Sequence, residues 1–226
     1  MIIITGVSGA IGSELFKYYY KLSKDTVGTY NNNRPHGFKH GTFRLDISDF
    51  EAVISFVDSL KGNLTELCLI NGAAITYDAF AHKCDIRKWQ EVIDINLTGT
   101  FNMIRAVLPL MRDQNCGRII NLSSVVAQKG AIGTSAYSAS KSALNGLTRT
   151  LALENANKNI LVNNINIGYM ETGMTEKIPV NIQDEIRNSI PLKRFGPLND
   201  ITHAIDFLMK TTYITGTNID INGGLY

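Results

Sequence analysis

The sequence predicts an α/β protein, a doubly wound parallel sheet covered by helices on both faces. Three observations carry that expectation. Short β-branched runs alternate with segments of helical apolar spacing along the chain, several of those runs are apolar at almost every position, and the first enters a helical segment through a glycine-rich turn. Strands that alternate with helices pair in parallel, and strands buried on both faces lose the in-out alternation of a one-sided sheet.

Ile2 to Ile4 form the first strand, after which Ile11, Leu15, Phe16, Tyr19 and Leu22 recur close to helical spacing. Thr26 to Tyr30 and Thr42 to Leu45 read as the second and third strands. Ser48, with Glu51 three residues on, makes a capping box for a helix running through Leu60. Leu67 to Ile70 is a fourth, buried strand; Trp89 to Met111 a long helix; Arg118 to Leu122 the fifth strand; Tyr137 to Ala156 a second long helix. Then come a strand over Ile160 to Ile165, a loop and short helix to about Ile190, a helix capped by Asn199, and a last strand near Asn218 to Ile221. No repeat or linker-like stretch interrupts this order, so residues 1–226 are expected to form one domain.

Composition narrows the function. Hydrophobic residues at 44% and charged residues at 19% belong to a packed globular chain and exclude intrinsic disorder. With 22 basic against 20 acidic side chains and no block of like charge, the chain carries no electrostatic footprint for nucleic acid or a membrane surface. Cys68, Cys84 and Cys116 are widely spaced and lack any metal-binding pattern, which predicts neither a disulfide scaffold nor a metal site and fits a reducing cytoplasm. The first residues run straight into the fold, with no signal peptide or membrane span expected.

Two segments point to chemistry. Thr5-Gly6-Val7-Ser8-Gly9-Ala10-Ile11-Gly12 lies between the first strand and first helix, where small residues admit a pyrophosphate and the helix N-terminus stabilises its charge. Asp46-Ile47 follows the third strand, at the carboxyl edge where open α/β sheets bind ligands, so Asp46 is placed to accept from an adenine amino group or else to begin the next helix. Ser124, Tyr137 and Lys141 form the second group, Tyr137 and Lys141 sharing a helix face at i and i+4. A phenol of pKa about 10 is a poor acid-base group at neutral pH unless a cation stabilises its anion. Lys141 supplies that cation and is expected to lower the tyrosine pKa, while Ser124 holds a substrate carbonyl oxygen. A bare Tyr-x-x-x-Lys pair also occurs on ordinary amphipathic helices, so the wider context decides.

That context resembles a known family. Thr5 to Gly12, Asn71-Gly72-Ala73-Ala74, Asn96, Ser124, Tyr137-Ser138-Ala139-Ser140-Lys141 and Asn163 to Met174 occur in the order and spacing of classical short-chain dehydrogenases/reductases, over essentially the whole chain. The resemblance implies a Rossmann-type fold and an NAD(P)-dependent oxidoreductase that moves hydride between the nicotinamide and a carbonyl/alcohol pair. It implies Tyr137 as acid/base, Lys141 as the group that lowers its pKa and holds the nicotinamide ribose, Ser124 as the carbonyl-polarising hydroxyl and Asn96 as support for a proton-relay water. Gly6, Ser8, Ile11 and Gly12 resemble the pyrophosphate loop, Asp46 and Ile47 the adenine site, Asn71, Gly72 and Ala73 the turn beside the adenosine ribose, and Gly168 and Thr172 the nicotinamide side. Departures are Ala10 at the usual middle glycine, Gly72 within the usual Asn-Asn-Ala-Gly, and Ile167 where a proline is usual.

No acid follows the second strand, where one would bind the NAD ribose; Asn31, Asn32, Asn33 and Arg34 stand there instead. NADP(H) is therefore expected ahead of NAD(H), with Arg34 beside the 2′-phosphate. The tail, with Pro191 to Gly196 and Asn222-Gly223-Gly224, resembles that of 3-oxoacyl-acyl-carrier-protein reductases. This implies reduction of a 3-oxoacyl thioester, with an acyl carrier protein as a partner to test. Other readings are a reductase of a small ketone or sugar-derived carbonyl, or an NADP-binding regulatory protein, although the latter has no need of Tyr137 and Lys141 together. A substrate lid is expected over residues 171–190, with Met170, Met174 and Ile178 either lining a pocket or packing on the scaffold. The resemblance also implies a homotetramer, or a homodimer, built through the two long helices and the last helix and strand.

Overall fold

The computed structural model describes residues 1–23, 25–38, 40–60, 66–172, 175 and 179–226. Seven parallel strands form one sheet in the order β3-β2-β1-β4-β5-β6-β7. They are β1 (Ile2–Thr5), β2 (Thr26–Tyr30), β3 (Thr42–Arg44), β4 (Cys68–Asn71), β5 (Gly117–Ser124), β6 (Ile160–Ile167) and β7 (Asn218–Ile221). The order reverses between β1 and β4, and at such a switch point diverging crossovers leave a crevice at the carboxyl ends of the strands. This is the doubly wound parallel sheet expected from the alternation of elements, with the Rossmann-type topology that the resemblance implies.

Helices cover both faces because alternate strand residues are apolar on both sides. On one face α2 (Phe50–Ser59), α4 (Thr100–Gln114) and α6 (Ser135–Asn155), the last preceded by the one-turn α5 (Val126–Lys129), bury Val53, Val57, Met103, Val107 and Leu151 against Ile3, Leu69, Ile119 and Val162. On the other, α1 (Ala10–Leu22) and α8 (Leu198–Lys210) bury Leu15, Phe16, Ile201 and Ile205 against Ile4, Ile70, Ile120 and Ile165. Tyr18 and Tyr19 of α1 each donate a hydroxyl hydrogen to the carboxylate of Asp206 in α8, at 2.9 and 2.8 Å, tying these two helices together. Asn115 and Asn159, both left-handed with φ of 50° and 53°, end α4 and the short turn before β6.

Three local features differ from the sequence expectation. Asp49, not Ser48, caps α2, accepting from the Ala52 amide at 3.1 Å, because Ser48 is engaged by Asp46. Asn199 lies inside α8, whose N-cap is Pro197 with no side-chain cap. The first long helix begins earlier than Trp89: α3 (Ile86–Ile93) continues through a π-helical segment (Asp94–Gly99) into α4. Between β2 and β3, residues 31–41 cross over without a helix among the described residues, and Phe38 packs edge-on to Phe16, with ring centroids 4.7 Å apart, closing that corner of the sheet.

Candidate active site

The glycine loop is shaped by close backbone approach. Gly6 has φ of +78°, and a Cβ there would lie 2.6 Å from Ala73 Cα; a Cβ on Gly12 would lie 2.3 Å from the Gly6 carbonyl oxygen. The Gly6 and Val7 amides donate to the Thr29 carbonyl, and Thr5 Oγ1 accepts from the Gly72 and Ala73 amides at 3.0 and 3.1 Å. These bonds hold the ends of β1, β2 and β4 together around the switch point. The first turn of α1 has Gly9 as N-cap, no side-chain cap and no acidic residue, so its amide dipoles are left for an anion.

A cleft of about 890 Å³ opens at this point. Gly6, Ser8, Asp46, Ile47, Gly72 and Ala73 line it, as do Thr29 to Asn33 and Ala74-Ile75. A further wall is α3, with Ile86, Arg87, Gln90 and Glu91, continued by Asp94 of the π segment. Asp46 is held below the usual carboxylate range chiefly by the Ser48 hydroxyl, 2.6 Å away, with the Ser48 amide and Asn31 Nδ2 also donating. A volume of this size, an uncapped helix N-terminus and an ionised carboxylate opposite fit a dinucleotide.

The remaining expected residues lie off the cleft wall. Gly12 is buried and Ile11 half-buried beneath the loop, packed toward the α1 core. Asn71 is buried; its amide donates to Asn121 at 2.9 Å, while its Oδ1 has no partner. Gly168 sits where a Cβ would meet Asn222 Cα at 2.7 Å, so close passage of the chain after β7 requires it. Thr172 accepts from Thr175 through its carbonyl oxygen. Arg34 is exposed beyond the three asparagines and does not line the cleft. Met170 is buried in the α1–α8 core and packs against Gly196 rather than lining a pocket. Met174 and Ile178 lie outside the described residues, while Val180–Ser189 in the expected lid forms helix α7.

Ser124, Tyr137 and Lys141 do come together. Ser124 ends β5, so the sheet carries its hydroxyl to the carboxyl edge, and it hydrogen-bonds with the Tyr137 side chain. The Lys141 ammonium, fully enclosed, donates to the Leu122 carbonyl at 2.7 Å and lies 5.7 Å from the centre of the Tyr137 ring. Burial lowers the Lys141 pKa from 10.5 to about 8. The tyrosine departs from the sequence expectation: its pKa is raised, burial being the main cause, and the opposing influence is the Ser124 hydrogen bond rather than Lys141. In this state the ammonium is engaged by a main-chain carbonyl.

Asn96 sits in the π segment, fully buried. Its Oδ1 accepts from the Ile75 amide at 2.8 Å, and its Nδ2 donates to the Ile75 carbonyl at 2.9 Å and to Ser140 Oγ at 3.1 Å. It therefore joins the floor of the cleft to the helix that bears Tyr137 and Lys141. Both of its amide hydrogens are spent, so a water could approach only an oxygen of this residue.

Sequence reasoning missed the α3 wall, although Ile86, Arg87, Gln90, Glu91 and Asp94 recur at helical spacing, and it missed Asn31 and Ser48 as partners of Asp46. Among the described residues, no group of three or more His, Cys, Asp or Glu could hold a metal, and no helix is long and apolar enough to cross a membrane.

Comparison with known proteins agrees with this construction. The family model described as short chain dehydrogenase matches residues 1–183. The chain is 36% identical to nodulation protein G of Azospirillum brasilense over 240 aligned positions, covering 99% of this chain and 96% of that protein. It is 37% identical over 227 positions to an acetoacetyl-CoA reductase of Shinella zoogloeoides, covering 98% and 94%. To a 3-oxoacyl-(acyl-carrier-protein) reductase of Staphylococcus epidermidis it is 42% identical over 160 positions, covering 70% and 66%. The chain belongs to the short-chain dehydrogenase/reductase family. It is accordingly a nicotinamide-dependent oxidoreductase.

Proposed function

We propose that this protein reduces a 3-oxoacyl thioester to the 3-hydroxyacyl thioester with NADPH. The observation that carries the reading is the Ser124–Tyr137 hydrogen bond beside the buried Lys141 ammonium, at the carboxyl edge of the sheet that also bears the dinucleotide-sized cleft. A nicotinamide dinucleotide, when bound, supplies the hydride. Ser124 orients and polarises the ketone oxygen, and Tyr137 gives that oxygen its proton. The phenol is protonated at neutral pH, the form a proton donor needs, and burial raises its pKa further. Lys141 stabilises the phenolate that remains.

In this reading Gly6, Ser8, Ile11 and Gly12 surround the pyrophosphate, Asp46 and Ile47 hold the adenine, Asn71, Gly72 and Ala73 flank the adenosine ribose, and Gly168, Thr172, Tyr137 and Lys141 hold the nicotinamide end. The preference for NADPH is supported by three asparagines, and no acid, at the cleft after β2. Reduction of a thioester is supported by the relatives, two of which are named for 3-oxoacyl thioester reduction. We read residues 1–226 as one domain that assembles into a homotetramer.

Steady-state kinetics test this directly. NADPH consumption with acetoacetyl-CoA and with a carrier-bound 3-oxoacyl thioester is expected, with the larger kcat/KM for the carrier-bound form. Equal values would remove the carrier protein from the scheme, and turnover confined to small ketones or sugar-derived carbonyls would overturn the thioester reading. Tyr137→Phe should abolish turnover of either thioester while leaving NADPH affinity within about threefold.

A further inference from the structure

We propose that Arg44 on β3, rather than Arg34 in the loop after β2, is the residue that selects the phosphorylated dinucleotide by binding the 2′-phosphate of its adenosine ribose. This deepens the NADPH reading and rests on it. The ribose hydroxyl that distinguishes the two cofactors is met at the end of the second strand. Parallel neighbours are commonly joined by a helix, whose first turn can offer amides to an anion there. Here the described residues of 31–41 form no such helix, and a cationic side chain is the group that can meet the phosphate charge.

Strand pairing sets Arg44 opposite Tyr30, the last residue of β2. Its Nε donates to the Asn31 carbonyl at 3.1 Å, which anchors the guanidinium beside the asparagines of the cleft. The two terminal nitrogens meet no acceptor among the described residues, leaving one edge of the fork for a phosphate. A groove of about 620 Å³ adjoins the main cleft, sharing Asn31, Leu45 and Asp46 with it, and Arg44 is the only cation along its described lining. Asp46 nearby keeps its negative charge, with Oδ1 accepting from Ser48 and Oδ2 from Asn31, so the Arg44 cation is what makes an anion acceptable at this edge. Arg34 lines neither cavity.

Calorimetric titration of the unliganded protein with NADPH, NADH, 2′,5′-ADP and 5′-AMP, at one salt concentration, separates the ideas. Arg44→Ala should weaken NADPH and 2′,5′-ADP by about tenfold or more and leave NADH and 5′-AMP within about twofold, whereas Arg34→Ala should move all four by less than about threefold. Arg44→Lys should recover part of the loss, since it restores charge without the fork. Equal loss for all four ligands in Arg44→Ala, or a selective loss in Arg34→Ala instead, would overturn the assignment. A wild-type protein that binds 5′-AMP as tightly as 2′,5′-ADP would sink the NADPH reading and the assignment with it, while a wild-type preference that survives Arg44→Ala would sink the assignment alone.

Discussion

Tyr137 holds its proton more tightly than a free phenol because a phenolate in that half-buried position would lose solvation, and the Ser124 hydrogen bond offsets only part of the loss. Removing that bond should act twice. Ser124→Ala is expected to lower kcat by about a hundredfold, the scale of one lost oxyanion donor. It should also move the alkaline limb of the reductive pH profile to higher pH; an unmoved limb would show that the serine does not act on the tyrosine. Lys141 makes a separate prediction. Its folded pKa of about 8 lies below its ordinary 10.5, so the unfolded chain binds the proton more strongly. Ionisation of this lysine then opposes folding below about pH 8, and the opposition fades as pH rises toward 10.5. Lys141→Met removes it, so the Tm of the variant minus that of wild type should be more positive at pH 7 than at pH 9.5. A pH-independent difference would contradict the burial argument.

Among the elements, the helix from Ile86 to Gln114 shows how a local irregularity serves the site. The wider π turn at Asp94–Gly99 occurs where Asn96 bonds both main-chain groups of Ile75, in the turn region after β4. Asn96→Ala would strand the Ile75 amide and carbonyl and release Ser140 from this link, at a cost of about 2–4 kcal/mol measured by urea unfolding. A loss below about 0.5 kcal/mol would mean that water replaces the side chain without penalty. Asn96→Asp should rescue little, since a carboxylate can accept from Ile75 but cannot donate to its carbonyl.

For the whole molecule, large apolar groups remain exposed on the long helices, Phe101 on α4 and Leu153 on α6, and at the other end Phe207 on α8 and Tyr213 in the turn before β7. Leu153 and Tyr213 are 85% and 100% exposed. The tetramer reading assigns these two regions to its two interfaces. Light scattering should therefore find a tetramer for wild type and dimers for Leu153→Arg and for Tyr213→Arg taken singly. A monomeric wild type would refute the assembly, and a tetramer in both variants would refute the assigned surfaces.

Local regularities made much of this readable in advance. The apolar runs fix strands without reference to distant residues, glycine spacing marks a turn where backbones must nearly touch, and Tyr137 and Lys141 share a face because any helix places i and i+4 together. The α3 wall of the cleft, the Asn31 bond to Asp46, and the position of Arg44 beside the end of β2 were decided by tertiary packing and strand register. Those contacts join residues whose separation along the chain carries no period. The same division governs the protonation states: residue types supply a phenol, a hydroxyl and an amine, but the direction of each pKa follows from enclosure, and enclosure exists only once the sheet, α6 and the Leu122 carbonyl surround Lys141.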